Sequence, residues 1–247
     1  IMDRYTQSRE IYKQLFRQLP DENESNGELM EILRRFIFAD VFHSGELDLK
    51  TRELVTVTCL ATMQTLPQLK AHINACLNVG AQPVEIREAL YQLAPFVGFP
   101  KTLNAVAVYN EVLAERKITL PAESSCIEGD ENRFAEGSKI QQPLYGDEIL
   151  QRFASFEKVP RFLTEWCFGD FYTRKGLDLP TRELLTLVTL TALNMPKQVA
   201  AHLKGNLRVG NSVEKLYWTM LQCMPYVGFP AVANTLNALL DIVSQRQ

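Results

Sequence analysis

The sequence predicts an all-α protein built from two tandem copies of one helical repeat, and three observations support this prediction. Residues 47–104 recur at residues 177–234 with a constant offset of 130, and 22 of these 58 positions are identical. Chance would give about one identity in twenty, so the chain contains an internal duplication. Apolar residues recur at helical spacing in both copies, and no stretch shows the two-residue alternation of a strand.

Bulk composition argues against several classes of function. The 247 residues are 46% hydrophobic and 22% charged, as in ordinary globular proteins. The net charge is -3 and Lys and Arg form no cluster, so we expect no nucleic-acid partner. No apolar run approaches the roughly 20 residues that span a bilayer, and the first residues are polar, so we expect no membrane association and a cytoplasmic location.

The cysteines predict neither a metal site nor a disulfide framework. They form no CxxC or CxxxC pair, and none has a cysteine at the equivalent position of the other copy. We therefore expect no bound metal, and thiols that are reduced and mostly buried. The five residues are Cys59, Cys76, Cys126, Cys167 and Cys223.

Helix signals follow one another in the same order in both halves. An apolar stripe predicts a helix over residues 3–19, which ends at Pro20, and a second helix over residues 28–42. The second helix has its counterpart at residues 161–172. Asp48 and Asp178 then occupy N-cap positions before the next apolar helix, because an aspartate side chain can accept from unpaired amides.

Glycines end the later helices of each copy. Gly80 and Gly210 stand at the C′ position of the helix that carries His72 or His202, and further helices follow in each half. Each half is therefore a unit of five or six helices.

Residues 118–146 are predicted to link the two copies. They are rich in Pro, Glu, Ser and Gly and lack helical periodicity. The chain then divides into a first repeat at residues 1–117, the linker, and a second repeat at residues 147–247.

Two histidines are the main candidates for a functional site. His72 and His202 share the same register of the duplicated helix, with Gln68 and Gln198 one turn earlier on the same face. Histidine is the usual general acid or base because it titrates near neutral pH. The alternative interpretation is a pair of core histidines satisfied by hydrogen bonds.

Glu53 and Glu183 lie in otherwise apolar helical stretches, where an ionised carboxylate must be paired. The partner is either the histidine or a neighbour such as Arg52. In a straight hairpin Glu53 and His72 would be offset by roughly 10 Å. Their contact therefore requires sharply crossed helices, or pairing across a repeat or subunit boundary.

At these residues the sequence resembles the carboxymuconolactone decarboxylase family, which also contains the alkylhydroperoxidase D proteins. The resemblance rests on the Thr-Arg-Glu-Leu helix start, the histidine twenty residues after the arginine, the Val-Gly cap and the Pro-(Phe/Tyr)-Val-Gly-Phe-Pro segment, each present twice. It implies an all-α alkylhydroperoxidase D-like fold, rings of subunits, and either decarboxylation of γ-carboxymuconolactone or thiol-dependent peroxide reduction.

The family's peroxidase motif is Glu-x11-Cys-x2-Cys-x3-His, and this chain keeps only its two ends. The spacing runs from Glu53 through Thr65 and Gln68 to His72, and the second copy has Met195 and Gln198 where the cysteines belong. Peroxide reduction needs a thiolate and a resolving thiol. The resemblance therefore favours a lyase of the decarboxylase type in aromatic catabolism, without a cofactor, over a peroxidase or a non-catalytic binding protein.

That interpretation assigns roles to eight residues. The histidines act as general acid or base, oriented by the glutamates, on a small carboxylactone or related carboxylic acid. The glutamines donate to an oxygen that gains charge, and the arginines hold a substrate carboxylate, although a structural ion pair is equally expected of them. The residues are His72, His202, Glu53, Glu183, Gln68, Gln198, Arg52 and Arg182.

The last helix of each repeat predicts an oligomer. Residues 103–113 and 232–243 are apolar on more sides than one stripe, so they need cover from other surfaces. Pairing of the two repeats supplies part of it. Because single-repeat relatives form hexameric rings, the resemblance implies a homotrimer of two-repeat chains, with pockets near repeat or subunit boundaries.

Overall fold

The computed structural model describes residues 1–120, 125–127 and 129–246, and every regular element in those ranges is a helix. The all-α class and the two tandem repeats are confirmed. The first repeat contains α1 (Arg4–Phe16), α2 (Gly27–Arg34, continued by a π-helix at Arg35–Val41), α3 (Leu49–Met63), α4 (Leu66–Asn78), α5 (Pro83–Tyr91), α6 (Ala94–Val97) and α7 (Phe99–Glu115).

The second repeat begins after a 3-10 turn at Asp130–Asn132 and follows a similar order, except that α9 is additional and α13 spans the positions of both α5 and α6. It contains α8 (Arg133–Tyr145), α9 (Glu148–Arg152), α10 (Lys158–Phe162, continued by a π-helix at Leu163–Tyr172), α11 (Leu179–Ala192), α12 (Pro196–Arg208), α13 (Val213–Val227) and α14 (Phe229–Ser244). No helix of the described ranges is both long and apolar enough to cross a membrane.

The helix boundaries have the chemistry that the sequence predicted. Asp48 accepts a hydrogen bond from the Thr51 amide at 2.7 Å, and Asp178 accepts one from the Thr181 amide at 2.9 Å. Both carboxylates therefore cap the helix that carries a candidate glutamate. Gly80 has a positive φ of 99° directly after α4, as its C′ position requires.

Helices α3 and α11 form the centre of the molecule. Residues 52–62 of α3 and residues 182–191 of α11 are buried without interruption. A helix that is enclosed on all sides must be covered by several neighbours. Here α3 packs against α4, α11 and α13, and a single hydrophobic core contains side chains from both repeats.

The segment predicted as a linker lacks helical periodicity in sequence, but its second half contains a helix, because α8 lies within residues 118–146. This helix is the counterpart of α1 at an offset of 129: Arg133 pairs with Asp170 as Arg4 pairs with Asp40, each through two hydrogen bonds. The sequence does not indicate this helix, because its offset from α1 differs from the 130 residues of the main duplication and Pro143 interrupts the helical pattern. The remainder of the linker includes residues 121–124 and 128, which lie outside the described residues.

Helix α8 approaches the neighbouring π-helix unusually closely. A Cβ added to Gly137 would lie 2.3 Å from the Thr164 carbonyl oxygen, and one added to Gly169 would lie 2.5 Å from that of Arg133. Two glycines therefore let the backbones touch. The equivalent positions in the first repeat are Ser8 and Ala39. The first half of α8 is consequently held against the π-helix of the second repeat.

Candidate functional site

Each candidate histidine contacts the candidate glutamate of its own repeat. His72 Nδ1 lies 2.8 Å from Glu53 Oε2, and His202 Nδ1 lies 3.1 Å from Glu183 Oε2. Of the arrangements expected, the structure thus contains the contact within one repeat, between α3 and α4 and between α11 and α12. Both carboxylates are fully buried, so the imidazole is the polar partner that their burial requires.

These contacts fix the protonation pattern of the rings. A carboxylate only accepts hydrogen bonds, so Nδ1 of each imidazole carries a proton and donates it. We assign this tautomer from the partner rather than from an observed hydrogen. No hydrogen bond to Nε2 of His202 is present among the described residues, so this atom is available to exchange a proton with a ligand.

The second site has a third polar member, Tyr145, which sequence reasoning missed. Its hydroxyl lies 2.6 Å from Glu183 Oε2 and 2.8 Å from His202 Nδ1. Burial, followed by the charge of Glu183, raises the pKa of Tyr145 far above its usual range. The phenol therefore stays protonated, donates to the carboxylate and accepts from the imidazole.

Aromatic rings enclose each histidine from both repeats. Phe16 lies 5.4 Å from His72 and Tyr145 lies 5.0 Å from His202, measured between ring centroids. On another side the second repeat supplies a tyrosine to His72, and the first repeat supplies Phe96 to His202, each at 5.8 Å. Each histidine therefore lies between one ring of its own repeat and one ring of the other repeat. At His72 its own repeat supplies the phenylalanine and the other repeat the tyrosine, and at His202 this is reversed.

A cavity of about 890 Å³ lies over His202. It contains Phe96 from the first repeat, so it lies at a repeat boundary, as expected. Its volume suits a small molecule. The side chains that line it come mainly from α8, α9, the following π-helix and α12: Phe96, Gln141, Tyr145, Glu148, Ile149, Gln151, Arg152, Phe153, Leu163, Cys167, Phe168, Lys197, Gln198, Ala201, His202, Lys204 and Arg208.

The cavity wall is basic, a feature that the sequence interpretation did not include. Four of its side chains are cationic, Arg152, Lys197, Lys204 and Arg208, and one is acidic, Glu148. A comparison of the two copies provides the signal that was overlooked. Lys197, Lys204 and Arg208 replace proline, asparagine and asparagine at the same positions of the first copy.

The structure does not place Arg52 and Arg182 at the cavity. Arg52 is 1% exposed and donates to the backbone carbonyls of Val41, Leu47, Ser44 and Gly45 and to Gln222. Arg182 is 1% exposed and donates to Gln92, Glu88 and two backbone carbonyls. Both cross from one repeat to the other. Arg182 forms a structural ion pair with Glu88, the alternative that the sequence left open, whereas the hydrogen bonds of Arg52 go to carbonyl oxygens.

The glutamine positions differ in their surroundings. Gln68 and Gln198 are both exposed, and Gln198 lines the cavity one turn before His202. Cys76, one turn after His72, is fully buried. Burial and the nearby charge of Glu53 raise the pKa of the Cys76 thiol well above its usual value, so it is protonated and unreactive.

A model of the carboxymuconolactone decarboxylase family matches residues 27–111 and 157–241. The two matches therefore cover both repeats and leave out the segment between them.

Curated relatives align with about one repeat each. One is 4-carboxymuconolactone decarboxylase from Acinetobacter baylyi, 28% identical over 109 residues, which are 41% of this chain and 80% of that protein. Another is nitrosuccinic acid decarboxylase from Metarhizium robertsii, 26% identical over 120 residues, which are 44% of this chain and 84% of that protein.

One solved structure matches both repeats. It is a chain from Burkholderia xenovorans, provisionally described as a gamma-carboxymuconolactone decarboxylase subunit, with a TM-score of 0.61. The match covers 99% of this chain and 98% of the other, at 20% identity, and so supports the fold alone.

Proposed function

Since this chain belongs to the carboxymuconolactone decarboxylase family, we propose that it is a decarboxylase that acts on a small carboxylate at the cavity over His202. The observation that supports this most strongly is the position of His202. Its Nδ1 is bound to a buried carboxylate while its ring lines a basic cavity. A basic wall attracts a carboxylate, and a fixed imidazole supplies the proton that the reaction needs.

The reaction requires the following steps. The bond between the substrate carbon and its carboxylate breaks, CO2 leaves, and the electron pair moves from that carbon onto a conjugated oxygen. His202, protonated at Nε2, then transfers this proton to a carbon of the resulting enolate, and the electron pair returns from the oxygen to form the new C–H bond. Water returns a proton to the ring. Glu183 keeps Nδ1–H in place throughout, and Gln198 is positioned to donate to the oxygen that gains charge.

The basic residues explain how a substrate that carries a second carboxylate would be held. Arg152, Lys197, Lys204 and Arg208 are exposed side chains that surround the same space. They bind the carboxylate that stays on the product, because a cation beside the leaving carboxylate would oppose the loss of CO2. Arg52 and Arg182 take no part in binding and instead join the two repeats.

His72 and Glu53 form the matching pair of the first repeat, and we include them as a second acid–base pair. The side chain of His72 is 9% exposed, against 14% for His202. We therefore expect the larger share of turnover at His202.

The experiment measures CO2 release from γ-carboxymuconolactone and from nitrosuccinate, the compounds suggested by the two curated relatives. We compare the wild type with His202→Gln, His72→Gln and the double variant. Because positioned acid–base groups contribute about 10²–10⁴-fold, His202→Gln should lower turnover at its own site at least about a hundredfold and leave the smaller share of His72, whereas the double variant should lose all activity. Circular dichroism checks that each variant is folded.

Three results would overturn the proposal. One is wild-type turnover that His202→Gln leaves unchanged. Another is binding of both compounds without release of CO2, which would indicate a non-catalytic binding protein. The third is rapid peroxide turnover that thiol alkylation abolishes, which the burial of Cys76 makes unexpected.

A further inference from the structure

We infer that Tyr145 is a positioning residue of the second site, which holds Glu183 and the Nδ1–H of His202 in a single arrangement. The inference deepens the proposed function, on which its kinetic part rests, while its structural part rests on geometry alone. Three groups meet at one point: the Tyr145 hydroxyl lies within 2.8 Å of both Glu183 Oε2 and His202 Nδ1.

The direction of these hydrogen bonds follows from the capacities of the groups. The carboxylate can only accept, so the phenol donates its one proton to Glu183 Oε2. The lone pairs of the phenol then accept from His202 Nδ1–H, which Glu183 shares at 3.1 Å. The ring nitrogen thus has two acceptors, and the carboxylate oxygen has two donors. A rotation of the imidazole would break both of its contacts at once.

The second repeat is shaped to admit this hydroxyl. A Cβ added to Gly205 would lie 2.5 Å from the Tyr145 hydroxyl oxygen and 3.0 Å from Glu183 Oε2. Such distances are too short for non-bonded atoms, so only glycine leaves the space at this position of α12. The residue at the equivalent position of α4 is Ala75, whose side chain carries that methyl group.

The first repeat lacks both halves of the arrangement. Phe16 stands where Tyr145 stands, at the offset of 129 that relates Arg133 to Arg4, and it has no hydroxyl. Tyr226 lies beside His72, but its hydroxyl makes no hydrogen bond among the described residues. In the second repeat the tyrosine hydroxyl fills the space beside the glycine. In the first repeat the phenylalanine lacks the hydroxyl, and the alanine methyl group takes up that space.

The packing of α8 supports a specific role for Tyr145 rather than an incidental contact. Gly137 and Gly169 bring α8 into backbone contact with the π-helix, where the first repeat has Ser8 and Ala39. This closer approach sets the position of the last residue of α8, which is Tyr145. Of the three glycines specific to the second repeat, Gly205 therefore leaves space for the Tyr145 hydroxyl, and Gly137 and Gly169 seat the helix that carries this tyrosine.

The structural test uses protein labelled with 15N-histidine, since the chain has only three histidines. Tyr145→Phe gives the second repeat the residue of the first. We expect the His202 Nδ1–H to exchange with water about tenfold faster in this variant, because one of its two acceptors is lost. The Nδ1–H of His72 serves as the internal control and should be unchanged. The paired change Phe16→Tyr with Ala75→Gly should slow the exchange at His72.

The kinetic test separates positioning from substrate binding. A positioning residue affects the proton transfer, so Tyr145→Phe should lower kcat about tenfold and leave KM within about twofold. An unchanged His202 signal would overturn the inference whatever the activity. A loss confined to KM would make Tyr145 a substrate-binding residue and would also overturn it. If wild-type enzyme released no CO2 while the exchange result held, the proposed function would fail and the positioning role would stand.

Discussion

Gly205 and Tyr145 offer a quantitative test of how the second site is packed. In Gly205→Ala the new methyl group would lie 2.5 Å from the Tyr145 hydroxyl oxygen and 3.0 Å from its Cζ. The hydroxyl must move, which breaks its hydrogen bonds to Glu183 and His202. We therefore expect the two substitutions to interact strongly.

The magnitude combines three contributions. Loss of a buried hydrogen bond to a charged group costs about 1.5–3 kcal/mol, and overpacking costs about 1–3 kcal/mol. Alanine regains about 1 kcal/mol over glycine within a helix. Gly205→Ala should therefore lower the free energy of unfolding by roughly 2–5 kcal/mol and Tyr145→Phe by roughly 1.5–3 kcal/mol. The double variant loses the hydrogen bond once, lacks the clashing hydroxyl and regains the helix propensity, so it should lose only about 0.5–2 kcal/mol.

Urea unfolding monitored by circular dichroism, at one fixed protein concentration, measures these differences. The predicted coupling between the two positions is at least about 2 kcal/mol. Ala75→Gly in the first repeat is the matched control, because no hydroxyl lies there, and it should lose the helix propensity of about 1 kcal/mol and about 1 kcal/mol for the buried methyl group. Additivity of the two single variants within about 0.5 kcal/mol would refute the proposed packing.

Three further predictions concern the cavity, the repeat interface and assembly. Lys204→Asn introduces the first copy's residue and should raise KM for a dicarboxylate about fivefold with little change in kcat. Lys13→Asn on α1 is the control and should leave KM unchanged. Steady-state kinetics measures both constants, and a fall in kcat without a rise in KM would contradict the prediction. Glu88 accepts hydrogen bonds from Arg174 and Arg182 across the repeats. Burial alone would raise the pKa of Glu88, but the two arginines outweigh it and the pKa is lowered. Glu88→Gln leaves the arginines without their carboxylate and should destabilise the protein by about 3–5 kcal/mol near neutral pH. A carboxyl group with a lowered pKa stabilises the folded state at pH values above its pKa in the unfolded chain, which is near 4.5. The difference in unfolding free energy between the variant and the wild type should therefore become smaller as the pH falls below 4.5. An equal difference at pH 7 and pH 4 would contradict this. Light scattering with size exclusion should give a molar mass of about three times the 28.1 kDa of one chain. Apolar side chains such as Phe229, which is 67% exposed, need cover from other chains. A monomer at micromolar concentration would exclude the trimer.

The duplication made much of the fold predictable. Identical spacing at an offset of 130 located the glutamate and histidine helices twice, and Asp48 and Asp178 marked their starts correctly. These signals are local and depend only on residue order. The contact between Glu53 and His72 was one of several possibilities, because a helix count along a straight hairpin does not give the angle at which two helices cross.

The residues that were missed depend on tertiary packing. Helix α8 contains Pro143 and no clear apolar stripe, and its position reflects two glycine contacts that a linear pattern does not reveal. Tyr145 was therefore assigned to a linker. The structural role of Arg52 could not be predicted from the sequence either. Its guanidinium donates to backbone carbonyls of the preceding loop, and these groups face it only in the folded chain.

The central claim is that His202 delivers a proton to a carbon of the enolate that remains after CO2 has left. The most direct measurement runs the reaction on γ-carboxymuconolactone in D2O and determines the deuterium in the product by NMR. We predict one deuterium at the enolate carbon that receives the proton, on a single face for the wild type, because a fixed imidazole approaches from one side. Equal labelling of both faces by the wild type, or unchanged single-face labelling at an unchanged rate in His202→Gln, would contradict the claim.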